Sequence, residues 1–270
     1  MPGALRATVR LLRIFLYLFR GVWITLRYGS TDDGGAELAR RRRVWYRRAL
    51  ELSGVEVQTT GQMVDEPALV VANHVSWLDI PVLGTSSDVR FLSKSEVARW
   101  PLIGWLARRN RTLFIRRGAH ESEVLIRDIG AALRAGAQVA IFPEATTTDG
   151  TEVRHFHPRL FAAAVETHAP VQPVAFDYGR EPEGGAAAAA FTGGMRLIPH
   201  AWRLLKRERT LVQLRILPLI PVEPETTRRE LASSSRAVIR GALGLPLEPA
   251  GKRLGRTGFA EKRPGSPGPR

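Results

Sequence analysis

The pattern of apolar and polar positions from Val55 onward predicts an α/β fold, with a mixed, mostly parallel sheet flanked by helices. Short apolar runs, which predict strands, alternate there with longer amphipathic runs, which predict helices. The predicted strands are Val55–Thr59, Ala68–Ala72, Val89–Leu92, Arg111–Ile115, Val139–Phe142, Val171–Phe176 and Leu211–Leu219. The predicted helices are Leu78–Gly84, Ser95–Arg108, Glu121–Ala135, Pro158–His168 and Pro199–Lys206.

The N-terminal stretch predicts an amphipathic, membrane-associated helix. Leu11–Leu26 is apolar but is interrupted by Arg13 and Arg20, so it falls short of the run of about 20 apolar residues that a spanning helix needs. Arginines recur every seven residues on one helical stripe, which Arg10 and Tyr17 share: Arg6, Arg13, Arg20 and Arg27. The prediction is a helix in the headgroup layer with its arginines on lipid phosphates. A helix packed on the protein's own core is the alternative, and a signal peptide is disfavoured by Arg20.

The chain divides into three predicted segments. Residues 1–30 form the membrane-associated helix, residues 31–243 form one folded domain, and residues 244–270 form a basic tail rich in Pro and Gly that is expected to be disordered. Within the domain, Glu37–Leu52 is a second basic helix, and Glu181–Ala190 has the composition of a surface loop.

Charge and cysteine content narrow the possible functions. The 40 Lys and Arg against 26 Asp and Glu give a net charge of +14, which favours either nucleic acid or an anionic membrane surface as partner. The sequence has no recognisable nucleic-acid-binding motif, so no nucleic acid is expected, and a basic nucleic-acid-binding protein stays as the non-enzyme alternative. The absence of Cys excludes disulfides, thiolate metal sites and cysteine nucleophiles.

His74 and Asp79 are the first residues with a chemical signature. The apolar run Val70–Ala72 leads into His74, and Asp79 follows five residues later. On one straight helix the two side chains would point about 140° apart, so their pairing requires a turn. Paired, Asp79 would fix the ring tautomer while His74 removes a proton from a hydroxyl. The alternative is a hydrogen-bonded histidine beside a helix cap.

Four sequence blocks, taken together, carry a resemblance to a known family. They are Asn73–Asp79, Arg111–Gly118, Ala140–Gly150 and Ala169–Val174. In this order and spacing they resemble the lysophosphatidate (1-acylglycerol-3-phosphate) acyltransferase family, over roughly residues 55–222. Membership implies a glycerolphosphate-acyltransferase-like fold for residues 31–243.

The resemblance implies an O-acyltransferase of phospholipid biosynthesis. It would move a fatty acyl group from an acyl-CoA or acyl-carrier-protein thioester to the hydroxyl of a lysolipid such as 1-acylglycerol-3-phosphate, with no other cofactor. His74 and Asp79 would be the catalytic pair. The implied substrate-binding residues are Arg116, Arg117, Glu144, Ala145, Thr146 and Lys94. For Arg116 a solvated surface charge is the alternative role, and for Glu144 the capping of a loop.

The third block departs from the family pattern Phe-Pro-Glu-Gly-Thr-Arg. Ala145 stands at the glycine position and Thr147 at the arginine position. The lost charge-assisted hydrogen bond is worth about 1.5–3 kcal/mol, so a phosphate acceptor is put in doubt. A different acceptor, such as a lyso-ornithine lipid or another lysophospholipid, is the alternative hypothesis, and a catalytically inactive lipid-binding relative is a third.

Two further expectations concern metal and location. His155 and His157 lack a third ligand, so no metal site is predicted. Cytosolic acyl thioesters and arginine-rich segments together indicate the cytoplasmic face of the inner membrane, where the protein would be monotopic or peripheral.

Overall fold

The computed structural model describes residues 2–28, 34–100, 103–109, 112–115, 121–179, 187 and 189–246. The helices are α1 (Gly3–Tyr28), α2 (Gly34–Ser53), α3 (Asp79–Leu83), α4 (Ile103–Arg109), α5 (Glu121–Arg134), α6 (Ala162–Thr167), α7 (Leu197–Lys206) and α8 (Arg228–Ala242). The strands are β1 (Val55–Thr60), β2 (Leu69–Ala72), β3 (Arg90–Lys94), β4 (Leu113–Ile115), β5 (Val139–Ile141), β6 (Val171–Asp177) and β7 (Thr210–Ile216). Short 3-10 helices cover Ser95–Arg99 and Pro158–Phe161.

The strands form one mixed sheet in the order β1-β7-β6-β2-β5-β3-β4. Neighbouring strands are parallel throughout, except that β6 and β7 are antiparallel. The predicted fold class, a mostly parallel sheet flanked by helices, is therefore confirmed. Strand β2 lies in the middle, where Val70 is in register with Ala140 of β5 and Gln172 of β6.

Helices cover both faces of the sheet, which explains why β2 is apolar at every position. Val70 and Ala72 join a core cluster with α2, α3 and α7, whereas Leu69 and Val71 join a second cluster with α5, α6 and α8. All four β2 side chains are buried. The strand that carries the catalytic candidates is thus held rigidly from both sides.

Several predicted elements differ from the structure. The single helix predicted over Ser95–Arg108 is instead a 3-10 turn followed by α4, with Pro101 between them in the sequence, a residue that lacks the backbone donor a helix needs. The last strand ends at Ile216 rather than Leu219, since Pro218 has no backbone donor to continue the ladder, and an isolated bridge between Ile220 and Val171 follows. The Glu181–Ala190 loop falls largely outside the described residues.

Helix α8 was not predicted. It begins with a capping box in which the Thr227 side chain accepts from the Glu230 backbone while Glu230 accepts from the Thr227 backbone. Leu231 and Ile239 bury its apolar face in the second core cluster. The serine run in its middle lowers its helix propensity and obscures this pattern in the sequence.

The prediction that every arginine of the α1 stripe meets lipid is wrong for Arg6 and Arg10. Arg6 donates to the carbonyl of Lys206 at 2.8 Å, and Arg10 donates to the carbonyls of Leu205, Arg207 and Glu208 at 3.1, 2.6 and 2.8 Å. These carbonyls end α7, where backbone acceptors have no partner within the helix and the helix dipole is negative. The two guanidinium groups therefore fasten α1 to α7.

The opposite side of α1 is apolar and faces outward. Its large side chains are each at least 50% exposed: Leu5, Leu11, Leu12, Phe15, Leu16, Phe19, Trp23 and Leu26. On α7, which packs against α1, Ile198 is 82% exposed. Within the described part of the chain, no helix combines the length and the hydropathy required to cross a bilayer.

Candidate active site

The candidate residues meet at the carboxyl ends of three adjacent parallel strands. His74 follows β2, Glu144 follows β5 and Tyr178 follows β6. Asn73 fixes this edge because its side chain donates to the carbonyl of Phe176 at 3.0 Å and accepts from the Phe176 amide at 2.8 Å. The carboxyl edge of a parallel sheet is where α/β folds commonly place their sites.

His74 and Asp79 form a hydrogen-bonded pair. Nδ1 of His74 lies 2.7 Å from Oδ2 of Asp79. The turn that the pairing requires comes at Trp77 and Leu78, after which Asp79 opens α3. The same Oδ2 atom accepts from the backbone amides of Val75 at 2.9 Å and Ser76 at 3.0 Å, so the carboxylate also shapes the loop that carries the histidine.

Tyr178 completes the surroundings of Asp79. Its hydroxyl donates to Oδ1 of Asp79 at 2.6 Å, and Asp79 is fully buried. Four donors therefore surround a carboxylate that can only accept. Burial and the neighbouring Asp79 raise the pKa of Tyr178 well above its ordinary value of 10, which keeps the phenol a donor. Sequence reasoning missed Tyr178; the only signal was a polar aromatic residue directly after a buried strand.

The imidazole of His74 is held in one plane with one nitrogen outward. The Phe142 ring stacks on it with centroids 4.1 Å apart and planes 21° apart. The Asp79 carboxylate can only accept, so Nδ1 is the donor, and in the neutral ring the lone pair then lies on Nε2. No hydrogen bond from the described residues engages Nε2, and the side chain is 21% exposed. Such a nitrogen can accept a proton from a bound hydroxyl.

Glu144 holds the backbone of His74. Its Oε1 accepts from the His74 amide at 2.8 Å, and its Oε2 accepts from the Arg154 amide at 2.7 Å. Burial raises the pKa of Glu144 to about 7, against the two amide hydrogen bonds, which lower it. The geometry matches the loop-capping role considered for this carboxylate.

The residues after Glu144 form a loop that contacts the backbone of His74. Ala145 adopts a left-handed backbone with φ of 58°, the conformation that a glycine would take without strain. Ala145 and Thr146 are exposed. Thr147 turns its hydroxyl onto the carbonyl of Phe191, and the Thr148 amide donates to the carbonyl of His74 at 2.8 Å.

A tryptophan and a second histidine support the other side of the loop. The Trp77 indole donates to Nδ1 of His200 at 3.1 Å, and Nε2 of His200 lies 2.9 Å from the carbonyl of Ala190. Burial lowers the pKa of His200, which favours the neutral ring that this pattern requires. His200 lies on α7, so α7 directly contacts the loop that carries His74.

The structure leaves some predicted site residues undescribed. Arg116 and Arg117 lie outside the described residues. Lys94 is the last residue of β3, paired in register with Ile115. Among the residues that the structure describes, no three His, Asp or Glu side chains group as metal ligands would.

Comparison with known proteins places this chain in a family. The acyltransferase family model matches residues 51–177, which include His74, Asp79 and Glu144. A lyso-ornithine lipid O-acyltransferase of Pseudomonas aeruginosa is 41% identical over 233 residues, covering 85% of this chain and 89% of that protein. A 1-acyl-sn-glycerol-3-phosphate acyltransferase of Neisseria gonorrhoeae is 30% identical over 213 residues, covering 76% and 80%.

A solved structure has the same fold. The crystal structure of the 1-acyl-sn-glycerophosphate acyltransferase from Thermotoga maritima superposes with a TM-score of 0.69 and 21% identity, covering 89% of this chain and 94% of that one. The sequence matches and the shared fold together establish that the chain belongs to the acyltransferase family.

Proposed function

We propose that the protein acylates the free hydroxyl of a lysolipid, with His74 as general base. The observation that carries this proposal is the short Nδ1 to Oδ2 contact of 2.7 Å, which leaves Nε2 of a partly exposed ring without a hydrogen bond from the described residues. Nε2 takes the hydroxyl proton as the oxygen attacks the thioester carbonyl. The tetrahedral intermediate then expels the thiolate, which receives that proton from the imidazolium. Asp79 stabilises the imidazolium between the two transfers.

The acceptor in this proposal is a lyso-ornithine lipid. The relative with 41% identity carries that activity in its name, whereas the relative named for a glycerol phosphate acceptor is 30% identical. Thr147 stands where the lysophosphatidate family pattern has Arg, and its hydroxyl is engaged by the Phe191 carbonyl. The Thr147 side chain therefore offers neither a charge nor a free donor to a phosphate. Arg116 and Arg117 remain the proposed partners of the acceptor's carboxylate.

The donor in this proposal is an acyl-CoA or acyl-carrier-protein thioester, and the working surface is the cytoplasmic face of an anionic membrane. The exposed apolar side of α1 supports the membrane surface, because burying such side chains in acyl chains removes them from water. Arg13 and Arg20, also exposed on α1, would meet lipid phosphates.

The acceptor is tested with the purified full-length protein in anionic vesicles. Lyso-ornithine lipid and 1-acylglycerol-3-phosphate are offered separately, each with acyl-CoA and with acyl-carrier protein, and products are identified by mass spectrometry. We expect a kcat/KM for lyso-ornithine lipid roughly tenfold or more above that for the phosphate acceptor. Exclusive turnover of the phosphate acceptor would overturn the acceptor assignment. No turnover of either, or equal turnover by His74→Ala, would overturn the reaction.

Membrane binding is tested by co-sedimentation with the same vesicles. The double variant Phe15→Ser/Phe19→Ser should lose most of its bound fraction, because it replaces two large aromatic side chains on the exposed apolar side of α1 with polar ones. Val238→Ser is the matched control, since Val238 is 43% exposed on α8 instead of α1. Equal binding by both variants would contradict the proposed membrane face.

A further inference from the structure

Arg236 of α8 binds the segment Val153–Arg154, which Glu144 also binds. Its Nε donates to the carbonyls of Val153 at 3.1 Å and Arg154 at 2.8 Å, and one terminal nitrogen donates to Val153 at 2.8 Å. A guanidinium presents its donors in a planar fork, so one side chain can hold two successive carbonyls. Arg236 lies beyond residues 51–177, where the family model matches.

The two contacts meet on one peptide unit. The carbonyl of Val153 and the amide of Arg154 belong to the same planar group, with the Arg236 guanidinium on its oxygen and the Glu144 carboxylate 2.7 Å from its nitrogen. A cation at the oxygen and an anion at the nitrogen polarise the peptide in the same sense, which strengthens both hydrogen bonds. The other Glu144 oxygen then accepts from the His74 amide at 2.8 Å.

We propose that Arg236 is a positioning residue for the acyl transfer: through the Val153–Arg154 peptide and Glu144 it fixes the backbone of His74, and thereby the imidazole against Phe142 and the bound acceptor. This inference rests on the proposed role of His74 as base. The described hydrogen bonds of Arg236 go to the Val153 and Arg154 carbonyls, so its proposed action on His74 is indirect.

The surroundings of Glu144 explain why the contact of Arg236 with the Val153–Arg154 peptide matters. Glu144 is only 4% exposed. Besides the two amides that donate to it, the titratable groups that act on it are the His74 imidazole and the Asp79 carboxylate. Burial raises the pKa of Glu144 to about 7, and the Arg154 amide opposes that rise. When the peptide is no longer held by Arg236, the Arg154 hydrogen bond weakens and the pKa of Glu144 rises further. The carboxylate that orients His74 is then protonated at a higher pH.

The test compares Arg236→Met, which keeps a similar length without donors, with Arg236→Lys, which keeps the charge but not the fork. Arg240→Met is the matched control, because Arg240 lies on the same helix and donates to the Pro246 carbonyl instead. Each variant is assayed for kcat and KM at a series of pH values, and its amide hydrogen exchange is measured.

We expect Arg236→Met to lower kcat by about tenfold or more with KM nearly unchanged, and to shift the acid limb of the kcat profile to higher pH. Amide exchange at His74 and Arg154 should accelerate, whereas exchange at Val75 and Ser76, which Asp79 holds, should not. Arg236→Lys should recover part of kcat, and Arg240→Met should match the parent.

A kcat of folded Arg236→Met within about twofold of the parent, or unchanged exchange at His74 and Arg154, would overturn the inference. An equal loss in Arg240→Met would also overturn it, since it would indicate a general effect of α8. Should Arg236→Met fail to fold, a fully active Arg236→Lys with the parent's exchange at both amides would refute it. A parent that acylates no lysolipid would instead refute the proposed function. The exchange data would still test whether Arg236 holds the backbone of His74 through Glu144.

Discussion

Two buried carboxylates hold His74 in different ways. Asp79 binds the ring nitrogen and receives three further donors, whereas Glu144 binds the backbone amide of His74 and one other amide. Burial dominates at Glu144 and raises its pKa to about 7. Asp79 therefore acts on the imidazole ring, whereas Glu144 acts on the backbone that carries it.

Asp79→Asn should have the largest effect of the changes to these two carboxylates and their neighbours, and the effect should be on kcat. The amide cannot take the place of an anion beside an imidazolium, so we expect kcat to fall by about 10³-fold, or about 4 kcal/mol in the barrier. Asp177→Asn is the matched control, because Asp177 lies at the same sheet edge but pairs with Arg215. Steady-state kinetics measure both. A loss in Asp79→Asn no larger than in the control would contradict the pairing.

Glu144→Gln should change how stability depends on pH. Because the folded pKa of about 7 lies above the ordinary 4.5, the folded protein holds a proton that the unfolded chain releases, so this contribution is complete below pH 4.5 and lost as pH rises through 7. The loss is at most about 3 kcal/mol. Urea unfolding of parent and variant between these pH values measures it. Parallel stability curves would show that Glu144 does not titrate in this window.

Tyr178→Phe should have a smaller effect than either change. The variant leaves Oδ1 of Asp79 buried without its side-chain donor, at a cost of about 1.5–3 kcal/mol in the free energy of unfolding. We expect kcat to fall less than in Asp79→Asn, since the ring contact remains. Tyr46→Phe is the control, in a tyrosine that packs against Trp45. Chemical denaturation and kinetics check both, and equal stability of the two variants would exclude the proposed contact.

Ala145→Gly should have the smallest effect, and it should be favourable. Relief of the left-handed backbone at φ of 58° outweighs the greater freedom of glycine in the unfolded chain, for a gain of about 0.5–1 kcal/mol. Thermal unfolding measures it. Ala137→Gly, at a position without positive φ, should be destabilising instead. A destabilised Ala145→Gly would mean that the methyl group makes a contact worth more than the strain.

The local parts of the fold could be predicted from the sequence, and the distant parts could not. The strands and the His74–Asp79 pair depend on short apolar runs and on a spacing of five residues. The antiparallel placement of β7 depends on how the chain returns to the sheet, which no local pattern encodes. Helix α8 carried a recognisable signal, Thr227 three residues before Glu230, that the serine run concealed.

The supporting residues of the site were missed for the same reason. Tyr178 is 99 residues from Asp79 in the sequence, and Arg236 is 83 from Val153. A tyrosine after a strand and an arginine on a helix are ordinary surface choices until the fold brings their partners close. The error at Arg6 and Arg10 has a related cause: a seven-residue period shows that arginines share a stripe, but it does not show which way the stripe faces.

The grip of Arg6 and Arg10 on the end of α7 bears on how this protein should be handled. Trimming residues 2–28 to gain solubility would remove the arginine donors from four carbonyls at the end of α7, and it would remove the Tyr17 ring that stacks on Trp45. The helix loosened by that cut is the one whose His200 receives the Trp77 indole. In a shortened protein the loop that carries His74 would therefore already be disturbed, and inactivity of such a preparation would say nothing about lipid dependence.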